Sequence, residues 1–151
     1  MPNLVVDFDT LLTMSGKDLG TTDYREITQE QINLFADATD DQQWIHTDPE
    51  RAKDGPFGAP IAHGFLTLSL IIPFWGELFD VDGVTTKVNY GLDKVRFTSP
   101  VKVGSKVRMQ ATIADVTEVK GGAQIKVNAT IEIEGQERPA VVAEFLARFY
   151  K

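Results

Sequence analysis

Residues 64–79 read GFLTLSLIIPFWGELF, the most apolar run in the chain. The run does not alternate and is too long for an ordinary strand, so it predicts a helix of about 24 Å. A helix apolar on every side is a buried one. Pro73 has no N–H to offer the Ser69 carbonyl and is expected to bend it. Such a helix needs a wrapping, and the sequence after it is suited to provide one.

Beyond Asp82-Gly83 the hydrophobic period changes to two. Val107, Met109, Ala111 and Ile113 alternate with polar residues. Past the turn Lys120-Gly121-Gly122, so do Ala123, Ile125, Val127, Ala129, Ile131 and Ile133, and later Ala143, Phe145, Ala147 and Phe149. Alternation of this kind marks antiparallel strands with one buried face and short hairpins. Val88, Tyr90 and Leu92 fall on even positions while Val95 and Phe97 fall on odd ones, which predicts a bulge or break near Asp93-Lys94. The sum is an α+β chain in one domain over residues 1–151, its antiparallel sheet wrapped around a long central helix: the hot-dog fold. One sheet around one helix leaves edges and part of the helix uncovered, so a homodimer is expected.

Upstream, residues 6–12 read as a short helix or turn, Ser15-Gly16 and Leu19-Gly20 as loop, and residues 21–27 as a strand. A helix then starts at Thr28, which caps with Gln31 three residues on, while Ile27 and Ile32 sit at staple positions. It should stop near Thr39, before Asp40-Asp41. Asp48-Pro49 opens a second, short helix. Residues 55–60, GPFGAP, are two-thirds Gly or Pro and read as loop.

Composition narrows the chemistry. There is no cysteine, which excludes disulfides, thiolate metal sites and Cys nucleophiles. Two histidines make a His-rich metal site unexpected, and no metal is assigned. A net charge of −7 argues against nucleic acid or an anionic membrane as partner. The N-terminus MPNLVVDFDT lacks a signal-peptide pattern, and no apolar run reaches membrane-spanning length, so a soluble cytoplasmic protein is expected. Charge is uneven, however. Residues 87–108 carry +5 from Lys87, Lys94, Arg96, Lys102, Lys106 and Arg108 against Asp93, leaving −12 elsewhere. Either this is a solvated strand face or it is a patch for a phosphorylated ligand.

Both histidines lie in residues 35–70, FADATDDQQWIHTDPERAKDGPFGAPIAHGFLTLSL, together with the acidic pair Asp40-Asp41. Titratable groups just before a greasy helix whose N-terminus carries Gly64 point to chemistry at one end of a largely apolar substrate. Taken alone, Asp41 would be a solvated cap and His46 an ordinary satisfied histidine.

The segment from Phe35 through Asp41 to His46, with Ala52 six residues on, resembles the signature of the MaoC-like, R-specific enoyl-CoA hydratases. That signature reads aromatic, small residues, Gly-Asp, any residue, Asn-Pro, aliphatic, His, then a small residue. Ile61-Ala62-His63-Gly64, Asn89-Tyr90-Gly91 and Lys94-Val95-Arg96-Phe97 agree with it as well. The resemblance covers roughly residues 20–110 in order, and its flavour is that of the nodulation-protein-N-like single-domain branch. Asp40 stands where the motif has Gly, and Gln43-Trp44 where it has Asn-Pro.

The resemblance implies that Asp41 and His46 are the catalytic pair and that the Gly64 N–H receives the thioester oxygen. It further implies that Asn89, Tyr90 and Gly91 shape the acyl or pantetheine channel, and that Lys94 and Arg96 meet the CoA phosphates. His63, beside the oxyanion glycine, reads as structural. The implied activity is hydration of a trans-2-enoyl-CoA, or dehydration of the 3-hydroxyacyl-CoA. No cofactor is implied, because the coenzyme A or acyl-carrier-protein thioester is the substrate. The bare chemistry agrees: an Asp and a His on one water can activate it and relay its proton. Free N–H groups at a helix start are aimed donors for an enolate-like oxygen. Two alternatives share the fold: an acyl-CoA thioesterase, weakened because residues 65–76 hold no carboxylate, and a non-catalytic acyl-CoA-binding module.

Overall fold

The computed structural model describes residues 2–151. In chain order the elements are β1 (Leu4–Val6), α1 (Phe8–Leu11), β2 (Asp18–Thr21), β3 (Arg25–Glu26), α2 (Gln29–Thr39), α3 (Trp44–Thr47) and α4 (Pro49–Ala52). There follow α5 (Gly64–Ser69), α6 (Ile71–Leu78), β4 (Phe79–Val81), β5 (Thr86–Phe97), β6 (Lys106–Val119), β7 (Gly122–Ile133) and β8 (Val141–Tyr150).

The three alternating runs are β6, β7 and β8, and their inward residues are buried as the period demands. The sheet is antiparallel in the order β2-β6-β7-β8-β5, with β3 also pairing with β6. The register flip read from β5 is a bulge between Leu92 and Lys94, and a second bulge lies between Asn89 and Gly91. The sheet curls around α5 and α6, whose Leu66, Leu70, Ile71, Phe74 and Leu78 join Met109, Ile113 and Ile131 in one core cluster. This is the hot-dog arrangement.

The central helix differs from its expectation in two ways. It comes in two pieces: at Leu70 the N–H is shared between the Leu66 and Thr67 carbonyls, at 3.3 and 3.2 Å, which tightens the turn. Pro73 is the cause, since it leaves the Ser69 carbonyl without its helical donor. The helix also stops at Leu78 because Phe79 opens β4, which pairs in parallel with β1. The N-terminal residues expected as loop are thus partly strand, β2 with its bulge at Gly20 included. As one sheet around one helix implies, part of the helix is left uncovered. Phe65, Ser69, Ile72 and Gly76 form an exposed stripe at three- and four-residue spacing.

That stripe continues onto β5, an edge strand exposed on nearly all its residues, where Tyr90 is 54% and Phe97 50% accessible. Phe65 and Phe97 meet edge to face with ring centroids 6.1 Å apart.

The local signals before the helix behave as read. Thr28 accepts from the Gln31 N–H at 3.1 Å, and Ile27 and Ile32 are fully buried. Asp48 accepts from the Arg51 N–H and Pro49 opens α4. α2 ends at Asp40, whose φ of 61° is left-handed. This is why the related motif carries Gly there; Asp is among the few side chains that tolerate this conformation.

Candidate active site

Three segments converge in front of α5: the turn after α2, the one-turn helix α3, and residues 61–63. The last of these is threaded between two neighbours. The Ile61 N–H donates to the Ile45 carbonyl at 3.0 Å, and the Ala62 N–H donates to the Val101 carbonyl at 2.8 Å. Residues 61–63 therefore lie alongside α3, and each histidine faces the other segment.

His46 sits on α3 and is 7% exposed. Its Nδ1–H donates to the Ile61 carbonyl at 2.7 Å, which leaves Nε2 as the free nitrogen of a neutral ring. Its own carbonyl accepts from Gln29 Nε2 at 2.8 Å, which ties α3 to the first turn of α2. Burial is the main influence that lowers the pKa of His46 below its usual 6.5, and the neighbouring His63 adds to it; the Ile61 hydrogen bond and Asp41 pull the other way.

This has a measurable consequence. The unfolded chain protonates His46 near 6.5 and the folded chain only at lower pH, so in that window the unfolded state holds more protons. The contribution of His46 to stability is complete above 6.5 and is lost as pH falls through its folded value. We expect the thermal midpoint of the wild type to drop on acidification below pH 6.5, and His46→Gln to remove part of that slope. Equal slopes in the two proteins would refute the assignment.

Asp41 is exposed, and its main-chain carbonyl accepts from His63 Nε2–H at 3.0 Å. His63 itself is only 2% exposed. It stacks on His46 with ring centroids 3.9 Å apart and planes 23° apart, and Phe35 covers its ring at 4.8 Å. The aromatic residue of the motif thus backs the histidine pair. His63, read as structural, is the residue that links all the others.

Asp41, His46 and His63 each bring one oxygen or nitrogen within 4.8 Å of the other two. Two histidines and a carboxylate are donor types that divalent metals use. His46 Nδ1 and His63 Nε2, however, are already spent on the Ile61 and Asp41 carbonyls, and His63 Nδ1 is buried without a partner. The Asp41 carboxylate and His46 Nε2 remain, and two groups each ~2.8 Å from one water stand ~4.6 Å apart at tetrahedral angles.

His63 is also the N-cap of α5 and makes no side-chain capping bond there, so Gly64 begins the helix. A Cβ at Gly64 would meet the Phe97 ring at 3.2 Å, so the glycine makes room for this aromatic. Gly64, Ile61, Thr67, Phe97, Pro100 and Val141 line a cavity of about 310 Å³.

The remaining residues singled out in the sequence lie elsewhere on β5. Asn89, Tyr90 and Gly91 face the α5–α6 junction, lining a cavity of about 240 Å³ with Leu68, Ile72 and Phe145. Asn89 also borders one of about 420 Å³ with Trp75 and Lys87. Lys94 lies opposite Glu144, and Arg96 Nη1 donates to the Val95 carbonyl at 2.7 Å; both are exposed and line none of these cavities. Part of the basic segment is neutralised, since Lys87 pairs with Asp80 and Arg108 with Glu132. Among the described residues no helix is long and apolar enough to cross a membrane.

Residues 11–136 match the family model described as MaoC like domain. The chain is 49% identical over 140 residues to 3-hydroxyacyl-thioester dehydratase Z of Mycobacterium tuberculosis, covering 92% of this chain and 93% of that one. It is 39% identical over 150 residues to nodulation protein N of Rhizobium meliloti, covering 94% and 90%. The solved (R)-hydratase from A. caviae involved in PHA biosynthesis superposes with a TM-score of 0.70 at 25% identity, covering 88% and 94%. The chain belongs to the MaoC-like dehydratase family, as its signature residues led one to expect, and hydro-lyase activity is the chemistry of that family.

Proposed function

We propose that this protein is an (R)-specific enoyl-CoA hydratase, equivalently a 3-hydroxyacyl-CoA dehydratase, working through Asp41 and His46. The observation that supports the reading is that Asp41 and a neutral His46 bring an oxygen and a nitrogen within 4.8 Å of one another, beside the residue that precedes Gly64 at the start of α5. The names of the dehydratase and (R)-hydratase relatives support the reaction class and its stereochemistry.

In this reading a water is held between the Asp41 carboxylate and His46 Nε2. Its oxygen bonds to Cβ of the trans-2-enoyl thioester as Asp41 takes its proton, and the Cα=Cβ electrons move toward the thioester oxygen. The Gly64 N–H stabilises that enolate-like oxygen, a donor of a kind worth roughly 3–4 kcal/mol in the transition state. The proton then returns through the dyad to Cα, which leaves the enzyme as it began. No cofactor enters; coenzyme A or acyl carrier protein arrives with the substrate. The acyl chain runs along the α5–α6 junction past Asn89, Tyr90 and Gly91, and Lys94 and Arg96 receive the carrier's phosphates. A second copy of the chain covers the exposed apolar residues of α5, α6 and β5, because an exposed edge strand this long is otherwise a site of uncontrolled pairing. A cytoplasmic location goes with such a substrate.

The thioesterase reading needs a carboxylate aimed from the central helix. Glu77 is the nearest, and it is engaged by Arg25 at 3.3 Å. Crotonyl-CoA separates the readings. We expect loss of the conjugated enoyl-thioester absorbance, an (R)-3-hydroxy product and no free thiol. Thiol release at a comparable rate would make the protein a thioesterase, and binding without either signal would make it a binding module.

A further inference from the structure

We propose that His63 is a positioning residue of this site, holding Asp41 by its Nε2–H and the His46 ring by its face so that both meet one water. The inference rests on the hydratase reading and extends it to a side chain outside the dyad. A carbonyl can only accept, so the contact with the Asp41 oxygen at 3.0 Å fixes the His63 proton on Nε2. Nδ1 of the neutral ring is then an acceptor, and it is buried with no hydrogen-bond partner. Buried polar atoms are almost always paired, and an orphan costs about 1–3 kcal/mol. An alkyl side chain here would avoid that cost. The ring is accounted for by what its other parts do: one edge ties down the main chain of the base, and one face sets the plane of the second catalytic ring. Phe35 packs against the His63 ring as well, with the planes tilted by 51°. His63 also precedes Gly64, so the same residue couples the dyad to the oxyanion donor.

The chain has only two histidines, so a histidine-selective ¹⁵N spectrum contains two ring systems. Near neutral pH and without substrate, we expect one ring protonated at Nδ1, that of His46, and one at Nε2, that of His63. Two variants divide the roles of His63. His63→Phe keeps an aromatic face but loses the donor; His63→Gln keeps a donor near the Nε2 position but loses the face. We expect His63→Phe to leave His46 in its Nδ1–H form and His63→Gln to give averaged tautomer signals for His46. In both, kcat for crotonyl-CoA should fall by about 10²-fold, the typical effect of misplacing a reacting group by 1 Å, with KM within about threefold. Thermal midpoints of the variants identify any that fails to fold, and the wild-type spectrum stands without them. Kcat within twofold of wild type in both folded variants overturns the proposal, and so does a His63 ring protonated at Nδ1 in the wild type. If the wild type hydrates no enoyl thioester, the hydratase reading fails by itself; the tautomer pattern still decides whether His63 holds the two groups as described.

Discussion

Asp41→Asn should lower turnover of crotonyl-CoA by roughly 10²–10⁴-fold, the range that a positioned general base contributes. The substitution is close to isosteric, so it tests the carboxylate as a base and little else. The Asp41 side chain is exposed, and the bond that anchors this residue runs from His63 to its main-chain carbonyl, which Asn retains. The thermal midpoint should therefore stay within about 2 °C of wild type, since exposed substitutions away from special features usually change stability by under about 0.5 kcal/mol. Affinity for the saturated acyl-CoA should also persist, because the acyl and carrier contacts lie on other elements. A carboxamide can still orient the water, yet it cannot accept the proton. Turnover within tenfold of wild type in a folded Asp41→Asn protein would show that Asp41 is not the base, and would leave His46 Nε2 as the remaining candidate.

The sheet and the helix caps were legible in the sequence for different reasons. Strand alternation is a one-dimensional record of which face is buried, so residues 107–149 and the flip at Asp93-Lys94 could be read directly. The helix caps at Thr28 and Asp48 depend on contacts three residues apart and were equally open. The kink at Leu70 was only half visible: Pro73 announces a lost hydrogen bond, but which turn tightens depends on how the helix rests on the sheet. That part of the helix stays uncovered could be read, but not that Phe65 and Ile72 are the residues exposed, because apolar residues that await a partner look like apolar residues in a core. The parallel pairing of β1 with β4 joins residues some 75 apart in sequence, and nothing local records it. His63 shows how a site becomes clear only in three dimensions. Its placement follows from residues 61–63 lying along α3, and the sequence cue was its place beside Gly64 as one of only two histidines.

The largest stability effect is expected at Gly122, one residue beyond the tip of the β6–β7 hairpin. The preceding Gly121 has φ of 81°, the conformation that usually explains a turn glycine, while Gly122 does not. The surroundings reverse the ranking. A Cβ on Gly122 would stand 2.0 Å from the Phe149 carbonyl oxygen and 3.0 Å from two further backbone atoms of β8, whereas one on Gly121 meets only the Tyr150 ring at 3.9 Å. The obstacle at Gly122 is main chain held in the β7–β8 ladder, which pairs Gly122 with Tyr150, so it cannot swing aside as a side chain would. Gly122→Ala must open the ladder or shift it, and a one-residue shift would turn Phe149, Ala147 and Phe145 out of the core and out of the cavities they line. We expect a loss of about 3 kcal/mol, the upper end of overpacking costs, and a fall in thermal midpoint of roughly 10 °C. Gly121→Ala should lose about 1–2 kcal/mol, the cost of a left-handed conformation for an L side chain. Denaturant unfolding of the two variants side by side decides the matter: if Gly121→Ala is the less stable protein, backbone conformation and not strand contact dictates glycine at this hairpin.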